Sequence, residues 1–236
     1  MIKTVIFDLD DTLYGFWDLS LEAMDKMVKR AEELTGIPAA EFRPVYEDSF
    51  RSIMDELDPG KLMGTGHSRT LRLQHTLEHF GRSPFPAVLE LYDVYWDYML
   101  DNMKREPHIE ETMQAIKARG LAIGIGTNMT AHIQYRKIER LGLGKYIDFM
   151  VTSDEAVYDK PDLRFFRLAV KKAGCLPEEC LFVGDNKAFD YEGPLACGLK
   201  ARWYNVNGAA ENPGDKAIHD HLELLQAIDE ENAASH

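Results

Sequence analysis

Apolar residues first gather at Thr4-Val5-Ile6-Phe7, a β-branched run that predicts a strand buried on both faces, as in a parallel sheet. The stretch that follows has no comparable run. Helical spacing of its apolar positions predicts four helices instead, over 19–34, 39–57, 68–80 and 86–100. Pro38 suits a helix start. The breaks carry turn chemistry at Gly36-Ile37-Pro38, Asp58-Pro59-Gly60, Gly64-Thr65-Gly66 and from Gly81 to Pro84.

The pattern changes near residue 109. A helix over 109–119 ends at Gly120, and a strand follows over 121–126. A helix over 131–141 closes at Gly142, a short strand covers 149–151, and a helix over 163–173 closes at Gly174. Then come a strand over 181–183, a helical turn over 191–196 and a last strand over 201–204. Strands alternating with helices predict βαβ units and a parallel sheet. The expected fold is therefore α/β: a doubly wound, Rossmann-like core of residues 1–14 and 105–236, interrupted after its first strand by an all-helical insertion, 15–104. The polar tail over 230–236 is expected to fray.

The length of 236 residues suits one large domain or a core with an insertion, and a 45% apolar share is ample for packing. The net charge of −13 argues against nucleic acid and against anionic membranes as partners. A phosphorylated small molecule stays compatible with that charge, because local donors and a metal can reverse the local field. No signal-peptide pattern and no apolar run of membrane-spanning length occurs, so a cytoplasmic protein is expected, as monomer or homodimer. Cys175, Cys180 and Cys197 lack disulfide or metal-ligand spacing and read as reduced, small hydrophobes.

The candidate chemistry lies just past the strands. Asp8-Leu9-Asp10-Asp11-Thr12-Leu13 follows the first one. Carboxylates there sit where open α/β sheets bind ligands. They suit a hard divalent cation and offer a nucleophile beside an acid/base, although a solvated acidic turn is the plain alternative. Gly126-Thr127-Asn128 follows the second strand, as an anion site or an ordinary helix cap. Lys160, in Asp159-Lys160-Pro161, is a point charge before a helix, suited to phosphate or to the surface. Gly184-Asp185-Asn186, with Asp190 beyond, places one more carboxylate at a strand end. Asp185 would complete an oxygen-only metal shell with the first acids or cap a helix; Asp190 would orient it or a bound water.

Taken in order, these four signals resemble the haloacid dehalogenase superfamily, over residues 1–14 and about 105–225. The resemblance implies a Mg2+-dependent phosphatase that hydrolyses a small-molecule phosphate monoester. Asp8 would form an aspartyl-phosphate, and Asp10 would act first as general acid and then as base. Asp8, Asp185 and the backbone carbonyl of Asp10 would hold Mg2+. Thr127, Lys160 and Asn128 would bind the phosphoryl group, with Asn186 and Asp190 behind the ligands, and Thr12 would shape the turn. Acting as an acid near neutral pH requires the Asp10 pKa to rise. Asp10 and Asp185 favour a phosphatase over a dehalogenase, which the resemblance implies would lack the second acid, Asp10, and the metal. A phosphosugar mutase of the same fold and a non-catalytic phosphate-binding module are the competing functions.

The helical insertion resembles the family's cap in position and type, which would select the substrate. Phe16 and Trp17 would stack on a leaving group, or Trp17 would anchor the first cap helix. His67, Ser68 and Arg69 read as surface loop. His75-Thr76-Leu77-Glu78-His79 matches an inverted zinc-protease pattern, but with no third ligand evident the two histidines read as surface residues. The stretch from Thr127 to Tyr204 looks most like the 5′-nucleotidase members, which points to nucleoside monophosphates.

Overall fold

The computed structural model describes residues 1–56, 67–206, 208–209, 212 and 214–234. The turns expected at 58–60 and 64–66, the last residue of the 39–57 helix and the end of the tail lie outside them. The chain divides into two compact units, Phe16–Met103 and Met1–Gly15 with Lys104–His236.

Among the described residues of the smaller unit the regular elements are all helices: α1 (Trp17–Thr35), α2 (Ala39–Glu56), α3 (Arg69–His79) and α4 (Ala87–Asn102). On α1 the buried residues Ser20, Ala23, Met24, Met27, Val28 and Ala31 recur at helical spacing and form one face. The helix stops at Gly36, whose left-handed φ of 71° lets its N–H reach Glu32 O. Ser68 caps α3 by accepting from Leu71 N–H. Arg69 is a correction to the surface-loop expectation, since it is buried. Its guanidinium donates to the hydroxyls of Tyr46 (2.7 Å) and Tyr95 (2.5 Å), and lies 3.6 Å from the centroid of the Tyr95 ring. Ser20 Oγ also meets Tyr95 OH, at 2.7 Å.

The larger unit holds β1 (Thr4–Phe7), β2 (Ala122–Thr127), β3 (Phe149–Thr152), β4 (Cys180–Gly184), β5 (Lys200–Tyr204) and β6 (Ala217–Ile218). They form one sheet in the order β3-β2-β1-β4-β5-β6, with every pair parallel. Around it lie α5 (Ile109–Ala118), α6 (Ala131–Leu141), α7 (Ser153–Ala156), α8 (Leu163–Ala173), α9 (Gly193–Ala196) and α10 (Glu223–Ala233). A π-helical turn over Lys187–Glu192 leads into α9. This is the doubly wound, Rossmann-like core expected from the alternating pattern.

Three features depart from the sequence-based expectation. The strand over 201–204 is not the last, because two-residue β6 pairs beyond it. The tail does not fray at 230, because α10 runs to Ala233. It buries Leu224, Ala227 and Ile228, and Glu231 on the same helix pairs with Arg202 at 2.7 Å. Cys175 and Cys180, which show no pairing pattern in sequence, bring their sulfurs to 3.4 Å while remaining free thiols.

Register puts the chemistry together. Val5 pairs with Ile123 and Leu181, so β2, β1 and β4 end side by side. The strand order reverses around β1, with β2 and β3 on one side and β4 to β6 on the other. That switch point is where open α/β sheets leave a crevice at their carboxyl ends. Gly124 on β2 supports the packing beneath. A Cβ there would stand 2.4 Å from the Phe149 ring, so glycine alone lets that ring lie against the strand.

Candidate active site

Asp8 follows β1 directly, and its N–H donates to Val183 O, which fixes the first residue past the strand against β4. Its Oδ1 accepts from Lys160 Nζ at 2.7 Å, and the same ammonium donates to Asp190 Oδ1 at 2.7 Å. All three side chains are buried. Asp185 completes the group: one carboxylate oxygen from each of Asp8, Asp185 and Asp190 lies within 4.8 Å of the others.

Three carboxylates share one lysine, and their proton affinities record the imbalance. Burial pushes the Asp8 carboxyl well above its ordinary value. The Lys160 charge pulls it down, and the Asp190 and Asp185 charges push it back up. Burial likewise raises Asp185, to about 7, helped by Asp190 and Asp11. Burial works against the Lys160 ammonium, but the Asp190 and Asp8 charges outweigh it and hold its pKa above the ordinary lysine value. An oxygen-only cluster with surplus negative charge suits a hard divalent cation, which would relieve both carboxyls.

Backbone and cap chemistry fix these side chains. A Cβ on Gly184 would fall 2.5 Å from the Asp190 carboxyl, so the glycine admits Asp190. Asp190 Oδ2 accepts from Asn186 N–H at 3.1 Å. Asn186 Oδ1 accepts from Phe189 N–H at 3.1 Å, so that side chain caps the π-helical turn rather than meeting the acids. Thr12 Oγ1 donates to Asp185 Oδ1 at 3.3 Å and accepts from Asp185 N–H at 3.1 Å, tying the turn after β1 to the turn after β4.

Asp10 belongs to a different neighbourhood. Its Oδ1 accepts from Lys137 Nζ at 2.6 Å and from the Tyr14 hydroxyl, and its Oδ2 accepts from Gln134 Nε2 at 3.2 Å. Burial alone would raise this carboxyl. The Lys137 charge and the three donors outweigh burial and set its pKa below the ordinary value. That is opposite to the direction expected from sequence, and the cause is a lysine that lies outside the four motifs. The Asp10 carboxylate is not part of the three-acid cluster, whose third member is Asp190.

Thr127 ends β2 fully buried, and its Oγ1 accepts from Gln134 Nε2 at 2.7 Å. Asn128 spends its side chain on the backbone of Lys160: Oδ1 accepts from Lys160 N–H at 2.7 Å, and Nδ2 donates to Lys160 O at 3.1 Å. Its side chain therefore positions the lysine, and its backbone N–H is the group left for an anion. Phe16 and Trp17 fall in the helical unit, where Trp17 opens α1 with 64% of its surface exposed. His79 is exposed and His75 partly so, and among the described residues Asp8, Asp185 and Asp190 form the one group able to hold a metal.

Lys137 and Gln134 belong to none of the four motifs but leave a signal in the sequence. Gln134, Lys137 and Leu141 share the i, i+3, i+7 spacing of the buried face of α6. Polar residues at core positions of an amphipathic helix need buried partners.

A family model for haloacid dehalogenase-like hydrolases matches residues 2–198. A ribulose-1,5-bisphosphate 5-phosphatase of Halopiger xanaduensis is 34% identical over 85% of this chain and 83% of its own. A phosphoserine phosphatase of Thermus thermophilus is 34% identical over 90% of this chain and 92% of its own. A 2-haloacid dehalogenase structure from Pseudomonas syringae pv. Tomato superposes with a TM-score of 0.79 at 24% identity, covering 98% of this chain and 99% of its own; at that identity the likeness is one of fold.

Proposed function

The chain belongs to the haloacid dehalogenase-like hydrolases, and from that premise we propose that it is a Mg2+-dependent phosphatase of small phosphorylated metabolites. The observation that carries this reading is the placement of Asp8 and Lys160 in one ion pair beside Asp185 and Asp190.

Asp8 attacks phosphorus. The bond from phosphorus to the leaving oxygen breaks, and the phosphoryl group passes to an Asp8 carboxylate oxygen. Asp10 gives its proton to the departing oxygen, which leaves as the alcohol. In the second half Asp10 takes a proton from water, the hydroxide attacks phosphorus, and Asp8 departs with inorganic phosphate released. Held ionised by Lys137, Asp10 is set for the second half. An incoming phosphate dianion adds like charge beside it and favours the protonated form that the first half needs. Lys160, the Thr127 hydroxyl and the Asn128 N–H bind the phosphoryl oxygens. Asp8 and Asp185, with the Asp10 carbonyl and Asp190 behind them, would hold Mg2+, which would neutralise developing phosphoryl charge. The dehalogenase alternative leaves Asp10 and Asp185 without work.

The two named relatives act on a sugar bisphosphate and on a phosphorylated amino acid. We therefore place the substrate among small phospho-sugars and phospho-acids rather than among the nucleoside monophosphates suggested by the sequence. A panel spanning all three classes, assayed for phosphate release with Mg2+ and with excess chelator, tests both points. Turnover should require the metal and favour the first two classes. Undiminished turnover in chelator would refute the metal-dependent mechanism, and a preference for nucleotides would refute the substrate class.

A further inference from the structure

Gln134 and Lys137 stand one helical turn apart on α6, and both are buried, at 0% and 1% exposure. Between them they reach three oxygens of the site. Lys137 Nζ is 2.6 Å from Asp10 Oδ1. Gln134 Nε2 lies 3.2 Å from Asp10 Oδ2 and 2.7 Å from Thr127 Oγ1. Both placements carry a cost: the Lys137 ammonium is desolvated and matched by the Asp10 carboxylate, and Gln134 Oε1 is buried without a hydrogen-bond partner. An apolar residue would fill the same core positions without either cost.

We propose that Gln134 and Lys137 are positioning residues of the hydrolytic reaction: together they fix both carboxylate oxygens of Asp10 and orient the Thr127 hydroxyl. The inference rests on the phosphatase reading given above. Tyr14 and Lys137 hold one Asp10 oxygen and Gln134 the other, so the carboxylate plane has no free rotation. Because Thr127 Oγ1 accepts from Gln134, its single proton points away from that bond and is available to a phosphoryl oxygen. One amide therefore couples the acid/base to the phosphate cradle, and a preset donor of this kind needs no reorganisation as charge develops.

The test is the dependence of kcat/KM on the leaving group, across aryl phosphates whose phenols range from acidic to weakly acidic. A well-placed proton donor flattens that dependence, whereas a merely structural defect lowers every substrate by one factor. General acid catalysis contributes about 10²–10⁴-fold. Lys137→Met should therefore lose about a hundredfold or more with the poorest leaving group and much less with the best, steepening the slope. Lys137→Arg should recover part of it. Asp10→Asn is the reference and should give the steepest slope. If Asp10→Asn is steep and Lys137→Met lowers all substrates equally, the positioning role is overturned and the phosphatase reading stands. If Asp10→Asn leaves the slope unchanged, the acid role itself falls, and this inference with it. Gln134→Leu removes no charge, and serves should Lys137→Met fail to fold. It should steepen the slope and weaken inhibition by inorganic phosphate about tenfold, the order of one oriented hydrogen bond. Wild-type values for both would overturn the proposal.

Discussion

His221 offers a sharp test of how the turn after β1 is held. Its ring is fully buried, stacked on Tyr204 with centroids 4.3 Å apart and set edge-on to Phe7 at 6.3 Å. Nε2 donates to Thr12 O at 2.9 Å, which fixes the neutral tautomer with Nδ1 bare. Nδ1 is buried and has no hydrogen-bond partner. Protonation would place a second N–H where nothing accepts it. Burial accordingly pulls the imidazole pKa down to about 4, against smaller upward pulls from the Thr12 carbonyl and Asp220. The unfolded chain takes its proton near the ordinary value of about 6.5. Falling pH therefore favours the unfolded state first. Stability is lost progressively between about 6.5 and 4, and this group costs nothing further below that. At 1.36 kcal/mol per tenfold in proton affinity, the full loss is about 3 kcal/mol, and about 2 kcal/mol of it falls between pH 7.5 and pH 5. Urea unfolding at those two pH values measures the loss, and His221→Phe isolates it. The variant forfeits the Thr12 hydrogen bond at every pH, about 1 kcal/mol, but its difference between the two pH values should be smaller than the wild-type difference by about 2 kcal/mol. Equal differences in the two proteins, or a His221 resonance titrating near pH 6.5 by NMR, would refute the reasoning.

Three further outcomes follow from the acid cluster. Gly184→Ala drives a methyl to 2.5 Å from the Asp190 carboxyl; overpacking of this kind costs about 1–3 kcal/mol in urea unfolding, and unchanged stability would contradict the close approach. Lys160→Met strips Asp8 and Asp190 of a shared buried cation; it should lose about 3–5 kcal/mol and slow turnover by about 10²–10³-fold, and a stable variant with wild-type turnover would remove Lys160 from the site. Mg2+ at about a hundred times its dissociation constant should stabilise the protein by about 2.7 kcal/mol, and Asp185→Asn should abolish most of that gain; equal stabilisation of both proteins would exclude Asp185 as a ligand.

Much of the sheet is legible in the sequence because its signals are local. Gly142 and Gly174 adopt left-handed conformations at the ends of α6 and α8, so both helices stop where the glycines predict. What escaped depends on distant partners. The tail from 230 looks polar, yet Glu231 is buried because Arg202 on β5 meets it at 2.7 Å and Lys216 adds a second cation. Two-residue β6 has no periodicity to detect. Arg69 reads as a loop residue until the hydroxyls of Tyr46 and Tyr95 close on it.

The same dependence explains the one direction the motifs gave wrongly. Asp8 and Asp10 are two residues apart, and nothing in Asp8-Leu9-Asp10-Asp11-Thr12 separates their chemistry. The separation comes from two lysines on different segments. Lys160, just before α8, is shared between Asp8 and Asp190, while Lys137, inside α6, meets Asp10. One lysine against three acids leaves Asp8 and Asp185 with raised pKa values and a deficit of positive charge that a divalent ion can fill. One lysine with two neutral donors against a single acid leaves Asp10 lowered and self-sufficient. A cation entering the crevice therefore gains most beside Asp8 and Asp185 and least beside the Asp10 carboxylate, as the proposed proton-transfer role of Asp10 requires. The split proposed between nucleophile and acid/base thus rests on where the positive charges lie. The segments after β2 and after β3, which return Lys137 and Lys160 to the end of β1, are what set that.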